Sequence, residues 1–224
     1  MNLKIFDSEQ KNSKSKKTKS TDFFSKNKII CITGPMAAGK NLACSILEFY
    51  GGVSIDADLL VHEIIENQKE KILSTFGKIA QEKKISLLTK DKKINRKNLG
   101  KIVFSSAELL KKQEDIVYPE FDILVKKFLE EHKNKTRIIN ATVLYKRPCI
   151  KSVDFVIFVD APKILRLFRS KKRDSMSFKQ ILNRFKSQKN LFAKYKISNA
   201  DIRRVWNIGS RNSLERKLLK LLEK

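Results

Sequence analysis

Apolar runs of strand length alternate with helix-period segments from residue 28 onward. The first strand is predicted at Ile29-Ile30-Cys31-Ile32, and the helix that follows it extends to about Phe49, before Gly51-Gly52. Val53-Ser54-Ile55 reads as a short second strand. Strands that alternate with helices favour a parallel sheet covered by helices. The predicted fold class is therefore α/β.

The later segments continue this alternation. Leu59 to Ile65 read as a helix, and the stretch from there to about residue 94 reads as polar and irregular. Ser105-Ser106-Ala107-Glu108 has the pattern of a capping box, and Pro119 is typical of the first residue of another helix. The remaining predictions are strands at 137–141, 155–159 and 204–208, a basic helix after Pro162, and helices at 177–195 and 210–223.

A glycine-bounded loop, Gly34 to Gly39, joins the first strand to the first helix and is followed directly by Lys40. Four residues between two glycines and then lysine is the spacing of a P-loop, in which backbone N–H groups and the helix N-terminus surround a phosphate. A chance glycine-rich turn is the alternative, but it does not explain the lysine. The predicted ligand is a nucleoside triphosphate, and the candidate binding residues are Gly34, Ala37, Ala38, Gly39, Lys40, Asn41 and Leu42.

Position 41 and the end of the second strand carry the candidate metal and acid–base chemistry. Asn41 stands where a P-loop has Ser or Thr, whose hydroxyl binds Mg²⁺. Asp56 and Asp58 follow the second strand, at the sheet edge where ligands of open α/β folds bind. Asp58 is the candidate general base for an alcohol nucleophile. Asp56 contacts substrate, helps to hold Mg²⁺ through water, or caps the next helix.

The basic helix after Pro162 carries the candidate groups for charge neutralisation. Arg169 and Arg173 are four residues apart, on one helical face, and guanidinium groups suit phosphate oxygens. Lys40 and Arg169, with Asp58, are therefore the candidate catalytic residues. The alternative for the two arginines is an ordinary solvent-exposed basic helix.

Composition adds a strongly basic balance. The chain has 224 residues, enough for one catalytic domain, and a formal net charge of +25. Residues 1–27 read as a lysine-rich disordered tail and 28–224 as the folded domain. The charge favours polyanionic ligands, although a lysine-rich surface that reflects compositional bias explains most of it. Nucleic acid is not the expected ligand, because no platform of interleaved aromatic residues accompanies the basic segments.

The three cysteines and the apolar segments indicate the compartment. Cys31, Cys44 and Cys149 are widely spaced and form no zinc or disulfide pattern, and the first two are expected to be buried. No apolar run has the length of a membrane span, and no signal peptide is visible at the N-terminus. We therefore expect a cytoplasmic protein with no membrane partner. The sequence does not distinguish a monomer from a homo-oligomer.

Taken together, these motifs resemble the dephospho-coenzyme A kinases, a branch of the P-loop nucleoside monophosphate kinase-like fold. The resemblance runs from about Lys28 to about Leu222. Besides the P-loop and Asp56-Ala57-Asp58 it includes Ile94-Asn95-Arg96-Lys97-Asn98-Leu99-Gly100-Lys101-Ile102-Val103-Phe104, Arg169, Arg173-Asp174, Arg184, Ser187-Gln188, Ala200-Asp201 and Asn207-Ile208-Gly209-Ser210.

The resemblance implies a three-layer P-loop kinase fold with a helical acceptor-binding insertion at about 60–135 and a basic lid at about 162–195. It implies ATP-dependent phosphorylation of the 3′-hydroxyl of dephospho-coenzyme A, with Mg²⁺ as the metal. Asp58 becomes the base, and Arg169 and Arg173 match the lid. Asn207 matches an asparagine on the adenine side, and Arg96 is a plausible contact for substrate phosphate.

Four positions depart from the family pattern. Asn41 replaces the hydroxyl residue, and Tyr118 stands at an acceptor-side position where the family usually has histidine. Thr142 and Lys146 stand where it usually has the proline and the glutamate of a Pro-Leu-Leu-x-Glu-like motif. These positions concern metal and acceptor handling, so we expect nucleotide binding and activity with a weakened or altered Mg²⁺ requirement.

Two other functions remain open at this point. The first is a P-loop kinase of another small nucleotide or alcohol, since the fold alone does not fix the substrate. The second is a catalytically impaired P-loop protein that binds nucleotide or nucleic acid without turnover, which the four departures and the basic charge motivate.

Overall fold

A computed structural model describes residues 27–173, 176–197 and 200–223. The predicted tail, apart from Asn27, and Asp174 of the motif above lie outside the described residues. The chain divides into two compact units, one made of Met1–Asp56 and Phe128–Lys224 and the other of Ala57–Lys127.

A five-stranded parallel sheet forms the centre of the larger unit, as predicted for an α/β fold. Its strands are β1 (Ile29–Thr33), β2 (Val53–Asp56), β3 (Arg137–Asn140), β4 (Phe155–Asp160) and β5 (Ile202–Trp206). Their spatial order is β2-β3-β1-β4-β5, and every neighbouring pair is parallel. The P-loop therefore leaves the carboxyl end of the middle strand, β1, where ligands of parallel sheets bind.

Helices alternate with these strands along the chain. The helices of the described residues are α1 (Lys40–Phe49), α2 (Ala57–Asn67), α3 (Lys69–Glu82), α4 (Arg96–Val103), α5 (Ala107–Glu131), α6 (Lys163–Arg173), α7 (Phe178–Ser187), α8 (Leu191–Lys196) and α9 (Arg211–Leu222). Two 3₁₀ turns, Leu144–Lys146 and Pro148–Ser152, lie between β3 and β4. Buried side chains of β1, β4, α1 and α9 form one apolar cluster, which positions the start of α1.

The smaller unit is helical and contains α2 to α4 with the first part of α5. The prediction that residues up to about 94 are irregular was wrong, because α3 occupies Lys69–Glu82. Its buried face consists of Ile72, Phe76 and Ala80, spaced four residues apart, which is a helical period. The stripe is narrow and most other positions are polar, so the periodic signal is weak in the sequence.

Helix α5 shows two further errors of the sequence prediction. Pro119 lies inside one continuous helix and does not begin a new one, since Val117 and Phe121 are buried on either side of it. Ser106 caps the helix by accepting a hydrogen bond from the Leu109 N–H at 3.2 Å. Ser105 instead donates to the Ile102 carbonyl at 2.7 Å, so the capping box predicted from Ser105 does not form.

The predicted helix at 177–195 is two helices, and the last strand is displaced. Asn190 adopts a left-handed backbone conformation with φ of 67°, which ends α7 and precedes α8. Ser177 and Gln180 form a reciprocal capping box at the start of α7. Strand β5 ends at Trp206, two residues earlier than predicted, and this frees Asn207 to leave the sheet.

Candidate active site

The loop between β1 and α1 requires glycine at both ends. Gly34 has φ of +148°, and a Cβ there would lie 2.0 Å from the backbone oxygen of Val159 on β4. Gly39, the N-cap residue of α1, has φ of +105°, and a Cβ there would lie 2.1 Å from Asn207 Nδ2. Only glycine adopts these conformations without strain and leaves room for such close approaches.

Replacement of Gly34 by alanine is expected to destabilise the fold by about 4 kcal/mol or more, because the clash is with rigid backbone. Gly51→Ala is the matched control, since Gly51 also has a positive φ, of +98°, but a Cβ there meets nothing within 4 Å. That change should cost only the left-handed strain of about 1–2 kcal/mol. Urea unfolding of both variants measures the difference, and equal losses would show that the close approach to Val159 is unimportant.

Three side chains from distant parts of the chain hold the outer backbone of the loop. Gln188 Oε1 accepts the Met36 N–H at 2.7 Å, and Arg166 Nε donates to the Met36 carbonyl at 2.9 Å. Asn207 Nδ2 donates to the Ala38 carbonyl at 2.8 Å. These three hydrogen bonds hold the loop backbone at Met36 and Ala38. Of these three, only Asn207 was predicted as a site residue, and its predicted role on the adenine side stays a prediction.

Arg166 is the residue of this set that sequence reasoning did not single out. It is buried, its guanidinium lies 4.2 Å from the centre of the Phe185 ring, and burial lowers its pKa from the ordinary value, while Asp160 acts in the opposite sense. Its neighbours in sequence are lysines and arginines of an exposed helix. The sequence signal that could have identified Arg166 is its spacing, since residues three and four apart, as Arg166, Arg169 and Arg173 are, lie on the same side of a helix.

The start of α1 presents the predicted nucleotide-binding residues. Lys40 Nζ donates to the Gly34 carbonyl at 3.2 Å across the loop. The side chain of Leu42 packs against the apolar cluster of the larger unit, so a contact of Leu42 with a ligand would be made by its backbone. The first helical hydrogen bond runs from the Ala43 N–H to the Gly39 carbonyl. N–H groups in the first turn before such a bond bind anions.

Asn140, at the carboxyl end of β3, joins Asn41 to Asp56. Its Nδ2 donates to Asn41 Oδ1 at 3.1 Å and to Asp56 Oδ2 at 3.0 Å. Asn140 is buried, Asp56 is half-buried and Asn41 is exposed, so these contacts join the buried end of β3 to the exposed start of α1. Oxygen atoms are the ligands that Mg²⁺ prefers. Among the described residues, no group of three or more His, Cys, Asp or Glu side chains could hold a metal ion.

Arg169 lies on α6 and is anchored at one end only. Its Nη2 donates to the Asn207 carbonyl at 3.2 Å, so Asn207 contacts both the P-loop and this arginine. Its Nη1 is buried and has no hydrogen-bond partner in the part of the chain that the structure describes. Burial lowers the pKa of the guanidinium from its ordinary value. Arg173 is the exposed last residue of the same helix.

The remaining candidates lie in the smaller unit. Asp58 is exposed in the first turn of α2, two residues beyond Asp56. Arg96 is exposed at the first position of α4, next to Asn95, whose side chain caps the helix by accepting the Asn98 N–H at 3.1 Å. Tyr118 on α5 donates its hydroxyl to Glu114 Oε1 at 2.8 Å.

Comparison with known proteins decides the family. A family model described as dephospho-CoA kinase matches residues 28–206, which include the P-loop, Asp58 and Arg169. The chain belongs to the dephospho-CoA kinase family. The prediction made from the motifs is therefore confirmed, and the similarity extends well beyond the P-loop.

Relatives and solved structures agree with this membership. The dephospho-CoA kinase of Treponema denticola is 38% identical over 200 residues, covering 88% of this chain and 89% of that protein. The dephospho-CoA kinase of Treponema pallidum is 33% identical over 193 residues, covering 85% and 92%. A Thermus thermophilus protein of known structure has a TM-score of 0.73 at 26% identity, covering 88% of this chain and 96% of that one. The structure of dephospho-CoA kinase from Campylobacter jejuni gives 0.56 at 26% identity, covering 87% and 95%.

The other two departures from the dephospho-CoA kinase pattern lie after β3. The Thr142 carbonyl accepts hydrogen bonds at 3.4 Å from the hydroxyls of Thr33 and Tyr195, which packs this segment against the end of β1. Lys146 is exposed at the end of a 3₁₀ turn. Thr142 thus contributes its backbone carbonyl to this packing, and the proline and glutamate expected in the family at positions 142 and 146 stay a prediction.

Two further observations concern residues outside the nucleotide loop. Cys31 and Cys44 are buried as predicted, and burial raises the pKa of Cys31 to about 12, so neither thiol is a nucleophile near neutral pH. Within the described ranges, no helix is both long and apolar enough to cross a membrane.

Proposed function

We propose that this protein transfers the γ-phosphoryl group of ATP to the 3′-hydroxyl of dephospho-CoA, giving CoA and ADP, the final step of coenzyme A synthesis. The observation that carries the proposal is a P-loop with both glycines and Lys40 in place, in a chain of the dephospho-CoA kinase family. Phosphoryl transfer requires mainly positioning and charge neutralisation, and the residues described above supply both.

ATP is bound through its phosphates in this proposal. The loop from Gly34 to Gly39 is already held in shape from outside, so little conformational entropy is lost when phosphates bind. Lys40 exchanges its bond to the Gly34 carbonyl for oxygens of the outer phosphates. Arg169 offers Nη1 to the transferring group while Nη2 stays on Asn207, and Arg173 adds positive charge from the same helix.

Mg²⁺ is the metal that the family implies, and the residues present suit it. Asn41 Oδ1 and Asp56 Oδ2 are both oxygens, and both accept from the amide group of Asn140, at 3.1 and 3.0 Å. Asn41 would hold the ion directly, with Asp56 acting through water. When bound, Mg²⁺ supplies positive charge to the phosphate oxygens.

The acceptor side rests on residues of the smaller unit. Asp58 takes the proton of the 3′-hydroxyl, a role that an exposed carboxylate in the first turn of α2 can perform. Arg96 binds a phosphate group of the acceptor, aided by the N-terminus of α4. Tyr118 contacts dephospho-CoA through its hydroxyl. Asp56 also contacts dephospho-CoA if it does not help to hold Mg²⁺.

The decisive test is to incubate the protein with ATP, Mg²⁺ and dephospho-CoA and to measure CoA and ADP. Equal amounts of the two products are expected. A panel of other nucleotides and small alcohols tests the substrate, with dephospho-CoA as the best acceptor. If ATP binds but no acceptor yields product, the protein is a non-catalytic P-loop protein. Salt-dependent binding of single-stranded nucleic acid that ignores ATP would favour that second function.

Replacement of Asn41 by serine is expected to lower the Mg²⁺ concentration needed for half-maximal turnover. A serine hydroxyl restores the ligand that P-loops ordinarily use, whereas the longer amide meets the short octahedral distances of Mg²⁺ less well. Turnover is measured against Mg²⁺ at saturating ATP, with kcat and the Mg²⁺ midpoint compared. An unchanged midpoint would mean that position 41 does not determine the metal requirement.

A further inference from the structure

The contact of Asn140 with Asn41 and Asp56 has a consequence for metal binding that rests on the function proposed above. Asn140 pairs in register with Asp56 on β2 and with Ile32 on β1, so it stands between the second strand and the strand that leads into the P-loop. Residues paired laterally in a parallel sheet point to the same face. The sheet therefore fixes the side chain of Asn140 beside that of Asp56.

The polar groups of Asn140 are used unequally. Its Nδ2 has two hydrogen atoms, and each is donated to one oxygen, Asn41 Oδ1 or Asp56 Oδ2. Its own Oδ1 is buried and, among the described residues, has no hydrogen-bond partner. A buried acceptor without a partner destabilises a fold, and the two bonds that Nδ2 donates offset this cost.

The unusual residue at position 41 explains what the amide group of Asn140 contributes. A serine hydroxyl can turn to offer its oxygen to a metal, but an asparagine side chain has one end that attracts a cation and another that repels it. A donor that binds Asn41 Oδ1 fixes which end lies toward Asp56. The same donor holds Asp56 Oδ2 at 3.0 Å, so both oxygens lie within 3.1 Å of one nitrogen atom.

We propose that Asn140 is a positioning residue that orients Asn41 Oδ1 and gathers it with Asp56 Oδ2, so that Asn41 can serve as a Mg²⁺ ligand in place of the usual hydroxyl residue. Asn140 itself contacts neither the nucleotide nor the metal in this role. Residues that orient metal ligands typically change metal affinity by about 10- to 100-fold when they are removed.

The test replaces Asn140 by leucine, which has a similar size and cannot donate. The readout is the affinity for ATP, measured in EDTA and in excess Mg²⁺. Binding is monitored by the fluorescence of Trp206, the single tryptophan of the chain, which directly precedes Asn207. Asn140→Leu should bind metal-free ATP within about twofold of wild type. Its Mg²⁺ midpoint, for ATP binding and for turnover, should rise by about tenfold or more.

Thr136→Val is the matched control. Thr136 directly precedes β3 at the opposite end from Asn140, is also buried, and has a hydroxyl with no hydrogen-bond partner among the described residues. Both variants remove an unpartnered buried polar atom, but Asn140→Leu also removes two hydrogen bonds, so it is expected to unfold at a lower temperature than Thr136→Val. Only Asn140→Leu should change the Mg²⁺ midpoint.

The possible outcomes separate this inference from the proposed function. If wild type neither binds ATP nor forms CoA, the proposed function fails. If wild type is active and Asn140→Leu keeps the wild-type Mg²⁺ midpoint, the positioning role is wrong. Equal weakening of ATP binding with and without Mg²⁺ also overturns it, since that result shows a role in the shape of the loop. If the leucine variant fails to fold, Asn140→Ser, which can donate only one hydrogen bond, is measured instead. A raised Mg²⁺ midpoint would then support the positioning role, and an unchanged midpoint would overturn it.

Discussion

Replacement of Asp58 by asparagine is expected to lower kcat for CoA formation by about 10²- to 10⁴-fold, the range of general-base catalysis. Asparagine has nearly the same shape as aspartate but cannot accept the proton of the 3′-hydroxyl. ATP affinity should stay within about twofold of wild type, because the residues proposed to bind its phosphates belong to the larger unit and Asp58 belongs to the smaller one. Single-turnover formation of CoA and ADP measures the chemical step, and Trp206 fluorescence measures ATP binding.

The matched control for this variant is Glu70→Gln. Glu70 is an exposed carboxylate in the first turn of α3, as Asp58 is in the first turn of α2. Both changes remove a negative charge that interacts favourably with a helix N-terminus, worth about 0.3–1 kcal/mol of stability. Glu70→Gln should therefore show the stability effect without the kinetic one. If Asp58→Asn retains kcat within about threefold, Asp58 is a helix-terminus residue and the proton goes elsewhere.

The nucleotide side of the site was predictable because its signals are local in sequence. A buried strand, two glycines at fixed spacing, a lysine and a helix follow one another within 21 residues, from Ile29 to Phe49. The two glycines mark places where the backbone has a positive φ and another chain segment comes within contact distance. Composition and spacing alone specify such a turn.

The supports of the loop were not predictable in the same way, because they depend on strand order and on which side of a helix faces inward. Asn41 and Asn140 are 99 residues apart and meet only because β3 inserts between β1 and β2. Arg166 lies in a helix whose composition is typical of a solvent-exposed surface, yet its guanidinium is buried beneath the P-loop. The spacing of the arginines predicts that they lie on one face of α6, but it does not predict that the P-loop packs against that face.

The helical errors have a related cause, since burial of a few apolar side chains outweighed local preferences. Ile72, Phe76 and Ala80 keep α3 helical among polar residues, and buried neighbours keep α5 continuous through Pro119 although proline lacks the N–H of an intrahelical bond. Propensity is a weak signal when tertiary packing opposes it. Local sequence does not assign one role to Asp58 either. Its place in the first turn of α2 suits both an interaction with the helix N-terminus and a catalytic role.

Arg169 is the second position at which we expect a large kinetic effect. Arg169→Met should lower kcat by about 10³-fold or more, the contribution of an arginine that neutralises a transferring phosphoryl group. The physical reason is the division of its guanidinium, with Nη2 bound to the Asn207 carbonyl and Nη1 buried without a partner among the described residues. A phosphate oxygen would supply the missing acceptor, and a charge-assisted bond of this kind is stronger than a neutral one.

Arg169→Lys tests the geometry separately from the charge. A lysine ammonium is a point charge and lacks the rigid fork that binds Asn207 and phosphate at once, so it should recover only a minor part of the lost rate. Lys172→Met, an exposed cation on the same helix, is the matched control for the change in net charge and should keep wild-type kcat. The kinetic constants are measured at saturating ATP and dephospho-CoA. A methionine variant within threefold of wild type would contradict the catalytic role, and the buried Nη1 would then belong to the packing of α6 against Asn207.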